Sequence, residues 1–257
     1  MARFLTLPDA IAEFVHDGDA VALEGFTHLI PFAAGHEIIR QGRKNLHLIR
    51  MTPDLIYDQM IGMGCAGRLT FSWGGNPGVG SLHRLRDAVE NQWPKALALD
   101  EHTHAGMAAA YTAGAARLPF GMLRGYIGTD LTHVNPRIKS VRCPFTDEDL
   151  SAIPALNPDI TILHAQKADE KGNVLIEGIT GAGREAALAA DKLIVTVEEI
   201  VADFPPMMNA VMLPHWLVSA VALLEPPIQP NEVSVSVKAM SLPSTANAPY
   251  RVSNSGG

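Results

Sequence analysis

The chain has 257 residues, 47% of them hydrophobic and 18% charged, a composition that supports a large buried core and argues against a disordered protein. Its net charge of -7 and the scatter of its 20 Lys and Arg residues leave no basic face, which speaks against a nucleic-acid binder. Two cysteines, Cys65 and Cys143, offer neither a disulfide framework nor a CxxC metal spacing, and a reducing cytoplasm suits them best.

Taken in order, the chain alternates helical and extended signals. Thr6 and Asp9 open a helix whose Ile11, Phe14 and Val15 fall on one face, and Gly18-Asp19 closes it. Residues 20–23 then form a short apolar run of the kind a buried parallel strand needs. The same rhythm predicts a helix over 31–41, a strand over 46–50 and a helix over 54–63. It continues as a strand over 69–73, a helix over 81–92, a strand over 96–100, an Ala-rich helix over 105–116 and a strand over 120–125. A Pro-containing stretch from Asn135 to Pro158 breaks the alternation. Strands over 160–165 and 174–176, a helix over 184–190 and a strand over 193–197 follow it. Continuous apolar strands separated by helices predict an α/β fold: doubly wound, with a mostly parallel sheet and helices on both faces. From Pro226 onward Pro, Ser, Asn and Gly accumulate, so the expected organisation is one domain over 1–225 and an atypical, weakly ordered tail over 226–257. The longest apolar run, from Met212 to Leu224, is broken by Pro214 and His215, and no membrane span or signal peptide is expected.

Ligands of open α/β sheets bind where loops leave the carboxyl ends of strands, which singles out three loops. The first is Glu24-Gly25-Phe26-Thr27, where a glycine lets the backbone approach a ligand, although a tight turn accounts for the glycine as well. The second runs from Ser72 through Trp73, Gly74, Gly75, Asn76, Pro77 and Gly78 to Gly80. It matches a dinucleotide fingerprint poorly, because His83 stands at the third glycine position, and no Walker loop occurs. The third runs from Leu99 to Gly106. Its Glu101 could orient a substrate or act as a base, while a helix cap by Asp100, Glu101 and Thr103 is the plainer account. His102 and His104 point to different faces of a helix and lack a third ligand, so no metal site is expected. No G-x-S-x-G elbow is present, and Cys65 reads as a small buried residue.

In this order, the segments resemble the α subunits of family I coenzyme A transferases, of the glutaconate and 3-oxoacid type. The resemblance begins at residues 6–27, TLPDAIAEFVHDGDAVALEGFT. It continues through Glu37 to Gly42, the loop from Trp73 to Gly80, and Arg117 to Phe120. Residues 158–166 (PDITILHAQ), 169–174 (DEKGNV) and 195–201 (VTVEEIV) complete it, so that it covers about 5–225. The resemblance implies movement of coenzyme A between an acyl-CoA and a carboxylic acid, with the nucleophilic glutamate on a separate β subunit. It implies a heteromer of α and β chains, a coenzyme A thioester as substrate and no permanently bound cofactor. Gly25, Phe26 and Thr27 with Trp73, Gly75 and Asn76 are the implied substrate pocket, and Glu101 is a candidate catalytic side chain. The chain departs from the pattern at Glu24, where many α chains carry glycine, and after Glu225, where Pro226 to Asn231 and a polar tail replace a helical segment. That tail leads to an expectation of weakened α/β assembly and of rapid proteolytic trimming near residues 226–241. Two alternatives stand beside transfer: a hydrolase subunit that opens rings of coenzyme A thioesters in steroid catabolism through Glu101, and a non-catalytic coenzyme A-binding module. The acyl group and the acceptor acid are not readable from the residues.

Overall fold

The computed structural model describes residues 2–26, 29–75, 80–204 and 209–224. Its first half is a run of strand–helix units. A short strand β1 (Arg3–Phe4) precedes helix α1 (Leu7–Phe14), followed by β2 (Ala20–Leu23), α2 (Phe32–Arg40), β3 (Leu46–Ile49) and α3 (Leu55–Gly62). Then come β4 (Ala66–Phe71), α4 (His83–Glu90), β5 (Ala98–Glu101) and α5 (His104–Ala115). The second half holds β6 (Phe120–Leu123), α6 (Leu131–Val134), β7 (Lys139–Arg142), β8 (Asp149–Pro154), β9 (Ile160–Asp169) and β10 (Val174–Glu177). It closes with α7 (Gly183–Ala189), β11 (Lys192–Val201), β12 (Ala210–Leu213) and β13 (Ala220–Leu223).

Local chemistry explains where the helices start. The Thr6 hydroxyl accepts a hydrogen bond from the Asp9 amide, and Pro8 sits in the first turn of α1, where its missing N–H costs nothing. Asp54 caps α3 by accepting from the Ile56 amide, and Thr103 caps α5 by accepting from Gly106 at 3.0 Å. Of the three candidates for capping α5, Thr103 alone makes the bond.

The main sheet has ten strands, with a central order β1-β13-β11-β9-β2-β3-β4-β5, all parallel. Strands β10 and β12 extend it by antiparallel pairing beside β9. The expected mostly parallel, doubly wound sheet is therefore present. From β2 the chain winds outward through β3 and β4 to β5, and from β9 it winds the opposite way through β11 to β13. Right-handed crossovers then put α2, α3 and α4 on one face and α7 on the other, where it packs against α5. The Ala and Gly residues of α5 allow this close packing: a methyl on Gly114 would lie 3.0 Å from the Ala189 side chain of α7, and 2.0 Å from the Leu156 carbonyl oxygen. One buried cluster joins Leu163, Val195, Val197 and Val221 on the strands, and another joins Ile49, Met107, Tyr111 and Ala186 beneath α5 and α7.

One expectation needs correction. The stretch from Asn135 to Pro158, which reads as a break, contains β7 and β8, and β8 pairs antiparallel with both β7 and β6 in a separate three-stranded sheet. Strand β6 consequently belongs to this small sheet and not to the parallel one. The run from Met212 to Leu224 is broken at Pro214 and His215, as expected, and is divided between β12 and β13. The tail over 226–257 lies outside the described residues.

Candidate functional site

A cavity of about 550 Å³ opens at the point where the sheet reverses its winding, outside the carboxyl ends of β2, β3 and β4. This reversal point is where open α/β sheets hold their ligands, because the loops from adjacent strands diverge there and leave a crevice. Three consecutive residues after β2, Glu24, Gly25 and Phe26, form one wall. The segment after β3 supplies Arg50, Met51, Thr52 and Asp54, and the end of β4 supplies Trp73. The first turns of α5 add His104 and Ala108, the loop into α7 adds Gly181 and Ala182, and α7 itself adds Glu185. The lining is mainly apolar, with a few convergent polar groups, as small-molecule sites usually are. Phe26 and Trp73, each almost half exposed at 44% and 47%, flank its mouth.

The floor of the cavity is a buried polar cluster. Arg50 is 3% exposed and held from three sides: its Nε donates to the Thr52 carbonyl, Nη1 to Leu23 at 2.9 Å and Nη2 to Gly25 at 3.1 Å. The same Nη2 lies 3.1 Å from the carboxylate of Asp54, also buried. The guanidinium sits 5.6 Å from the ring centre of Tyr57, whose hydroxyl donates to the Ile49 carbonyl and accepts from the Leu23 amide. Glu24, 3% exposed, accepts from the Met51 amide at 3.2 Å and from the Tyr111 hydroxyl at 2.9 Å, both at Oε1. Burial pushes the Glu24 carboxyl above its ordinary range, against the opposing pull of Arg50 and these hydrogen bonds. Burial likewise raises Asp54, and Arg50 opposes it. The two tyrosine hydroxyls are pushed up by the same desolvation.

The close approach of chain segments here demands glycine at one position. A methyl on Gly25 would stand 2.0 Å from the Leu29 carbonyl oxygen, so the β2 loop folds back on itself only without a side chain. The Gly25 carbonyl is in turn one of the Arg50 acceptors, which ties this loop to the strand beside it.

Of the residues singled out from sequence, Gly25, Phe26 and Trp73 line the cavity together. Gly75 does not line it, but its amide donates to the Pro53 carbonyl at 3.3 Å and it underlies the Trp73 ring. Thr27 and Asn76 lie outside the described residues. Glu101 is exposed at the end of the edge strand β5 and is not in the lining; its carbonyl accepts from the Asn135 side chain. His102 and His104 diverge as expected. His102 is buried, 3.1 Å from the Asp100 carboxylate, whereas His104 faces the cavity between the hydroxyls of Thr52 and Ser72, each at 3.2 Å. Among the described residues no group of three His, Cys, Asp or Glu side chains could hold a metal ion, and no helix is long and apolar enough to cross a membrane.

Sequence reasoning missed Arg50, Asp54, Tyr57 and Tyr111, and noted Glu24 only as an oddity. A usable signal existed: Arg50 directly follows a mostly apolar strand at the end of the sheet where ligands bind, and Asp54 lies one helical turn's spacing beyond it.

The coenzyme A transferase family model matches residues 4–223. The chain belongs to the coenzyme A transferase family. It is 66% identical over 221 residues to one subunit of the 3-oxoadipate CoA-transferase of Pseudomonas knackmussii, covering 86% of this chain and 78% of that one. The solved glutaconate coenzyme A-transferase of Acidaminococcus fermentans superposes with a TM-score of 0.79 at 31% identity, over 88% of this chain and 76% of that one. A variant of the decarboxylase AibA/AibB also superposes with a TM-score of 0.79, at 29% identity over 92% and 91% of the two chains. The family expected from the collinear motifs is thus the family found. The fold is shared with a protein described as a decarboxylase, so the chemistry has to be argued from the site.

Proposed function

We propose that the chain is the α-type subunit of a two-chain enzyme that moves coenzyme A between an acyl-CoA and a carboxylic acid, and that the acid is a 3-oxo dicarboxylate of the 3-oxoadipate kind. The observation that carries this reading is the 66% identity to a subunit of a 3-oxoadipate CoA-transferase over nearly the whole described chain. The cavity supports it physically. At about 550 Å³ it suits a small acyl group. Two of its carboxyls, Glu24 and Asp54, are engaged with Tyr111, Met51 and Arg50, and the Thr52 hydroxyl stands 3.2 Å from the His104 ring. The attack on the thioester falls to a carboxylate of the β partner, as the resemblance implies, with this chain shaping and orienting the acyl group. Gly25, Phe26 and Trp73 are the contact residues of this pocket, with Thr27, Gly75 and Asn76 on the same loops. No permanently bound cofactor enters the scheme.

The ring-opening and non-catalytic alternatives are not favoured beside so similar a transferase chain. The test is reconstitution. The chain and its β partner, purified together, are expected to transfer coenzyme A from a donor thioester to 3-oxoadipate, and each chain alone to be inactive. Full transfer by this chain alone would refute the division of labour.

A further inference from the structure

The buried cluster beneath the cavity contains one guanidinium and two carboxyl groups, and their arrangement decides which carboxyl carries a charge. Two buried carboxylates facing one buried cation would leave an uncompensated negative charge in a poorly solvated site, a costly state that a proton removes. Asp54 holds the direct contact with Arg50, at 3.1 Å, while Glu24 makes no ion pair among the described residues. Asp54 is therefore the charged partner and Glu24 the protonated one. The hydrogen bonds also place the proton. The Met51 amide and the Tyr111 hydroxyl both donate to Oε1, which makes it the carbonyl-like oxygen, and the Gly25 amide is a third donor close to the carboxyl. The acid hydrogen then sits on Oε2, and Glu24 lies in the cavity wall.

We propose that Glu24 is a neutral carboxylic acid that donates its Oε2 hydrogen to the 3-oxo oxygen of the substrate's acyl chain, and so selects 3-oxoacids over acids without that oxygen. This rests on the transferase reading above and names the group that the pocket floor recognises. A ketone oxygen suits the floor better than a carboxylate does. It accepts one hydrogen bond and brings no charge, whereas a buried carboxylate would need a cation. The floor's guanidinium is already engaged: three of its N–H groups donate to the carbonyls of Thr52, Leu23 and Gly25, and it is paired with the Asp54 carboxylate. A single oriented donor discriminates well, because the analogue lacking the oxygen leaves that donor unpaired.

Other ionisable groups face Glu24 and do not displace its proton. Arg50 pulls toward ionisation but is paired with Asp54, and the Tyr57 and Tyr111 hydroxyls stay neutral because burial pushes both up. Across the cavity stand His104 on α5 and Glu185 on α7, while His164 of β9 lies beyond a small adjoining hollow, 3.4 Å from Glu198.

The experiment uses the complex of this chain with its β partner, and two acceptor acids that differ only at the third carbon, 3-oxoadipate and adipate. Glu24→Ala is expected to lower the ratio of kcat/KM for 3-oxoadipate to that for adipate by about tenfold or more. Glu24→Gln keeps an N–H donor on the same stem and is expected to restore most of the preference, and to remove its decline at alkaline pH. Calorimetric binding of the two free acids to the same complexes reads the contact independently of turnover. A Glu24-dependent preference in binding without any transfer would overturn the transferase reading and leave this contact standing. Transfer or binding in which Glu24→Ala affects both acids equally, or in which the Gln variant behaves like Ala, would overturn the contact itself. An Ala complex that fails to assemble leaves the Gln variant to decide: a Gln complex that lacks the preference for 3-oxoadipate in binding refutes the proposal.

Discussion

Two buried polar clusters lie on either side of strands β3 and β4, and they solve the same electrostatic problem in opposite ways. Behind β5, Asp100 receives the Asn135 amide at 2.9 Å, the His102 ring at 3.1 Å, the Arg137 guanidinium at 3.0 Å and the Thr70 hydroxyl at 3.2 Å. Burial alone would raise its carboxyl, but the hydrogen bonds and charges of His102, Asn135 and Arg137 prevail and hold it down to about 2. The cluster beneath the cavity holds one carboxyl more than its cation can serve, and there desolvation wins and Glu24 is raised. The first cluster is closed, with each oxygen of Asp100 served twice, and its role is to fasten the edge strand and the start of α5. The second is open on one side, to the cavity. A carboxyl held down marks a fastening, and a carboxyl pushed up beside a cavity marks a contact surface.

The sharpest way to break this comparison is to remove each carboxyl in turn. Asp100→Ala leaves His102 and Asn135 buried without their partner and is expected to cost about 3 kcal/mol of unfolding free energy. Glu24→Gln is expected to change stability little near pH 5. Its effect then grows with pH, with a known sign. The unfolded chain ionises Glu24 at its ordinary value, whereas the folded chain must keep or regain the proton, so the native protein loses stability as pH rises through that interval. Gln does not titrate, and the variant is expected to become the more stable protein toward alkaline pH. Denaturant melts of both variants from pH 5 to pH 9 check this, and an Asp100→Ala protein as stable as the native one would end the distinction.

A second prediction sharpens the closed cluster from its far end. His47 donates to or accepts from Thr70 at 2.7 Å, and Thr70 bonds Asp100. Burial first, then the nearby Arg68, pushes His47 down to about 4, despite the opposing carboxylate of Asp100. The unfolded chain takes up that proton near 6.5, so stability is complete above pH 6.5 and falls as the pH drops toward 4, by about 3 kcal/mol. Asp100 adds a second loss from about pH 4 to about pH 2. His47→Gln is expected to flatten the first limb and leave the second, measured by melting temperature against pH.

These clusters also mark how far the residues could be read in advance. The alternation of apolar runs and helices revealed the parallel sheet because that pattern is local, and the strands β2 to β5 fall close to where their runs predict. Strand β6 falls within the strand predicted over 120–125, whereas β7 and β8 escaped notice because Lys139 to Arg142 carries almost no apolar signal and β8 is buried only at alternate positions. At the site, the loops were legible from their glycines, whereas the floor was not. Arg50, Tyr57 and Tyr111 come from three separate elements, and nothing in their spacing shows that they converge on Glu24.

The loop after β2 forms one wall of the cavity, and Gly25 tests how tightly it is held. Gly25→Ala drives a methyl into the Leu29 carbonyl and displaces the Gly25 carbonyl from Arg50. The expected cost is about 2 kcal/mol of stability together with a larger loss of activity, since the displaced segment carries Glu24 and Phe26. Equal thermal stability and unchanged KM in the assembled complex would show that the loop tolerates the shift.

The smallest effect is expected at Glu101, and it separates transfer from hydrolysis. Its side chain is exposed at the end of the edge strand, while its backbone is pinned by pairing with Phe71 and by the Asn135 amide. Because the backbone is already fixed by those bonds, Glu101→Gln removes charge without moving β5, and the melting temperature should hold. Under the transferase reading the covalent chemistry belongs to the partner's carboxylate, so coenzyme A transfer should fall by less than about tenfold, at most the loss of one auxiliary contact. A general base in a hydrolase, by contrast, contributes about 100-fold or more. Assaying the variant complex for both transfer and thioester-linked ring opening therefore decides between them. A loss of 100-fold or more with the fold intact would move Glu101 into the reacting centre and make its carboxylate, and not the floor beneath the cavity, the chain's main chemical contribution.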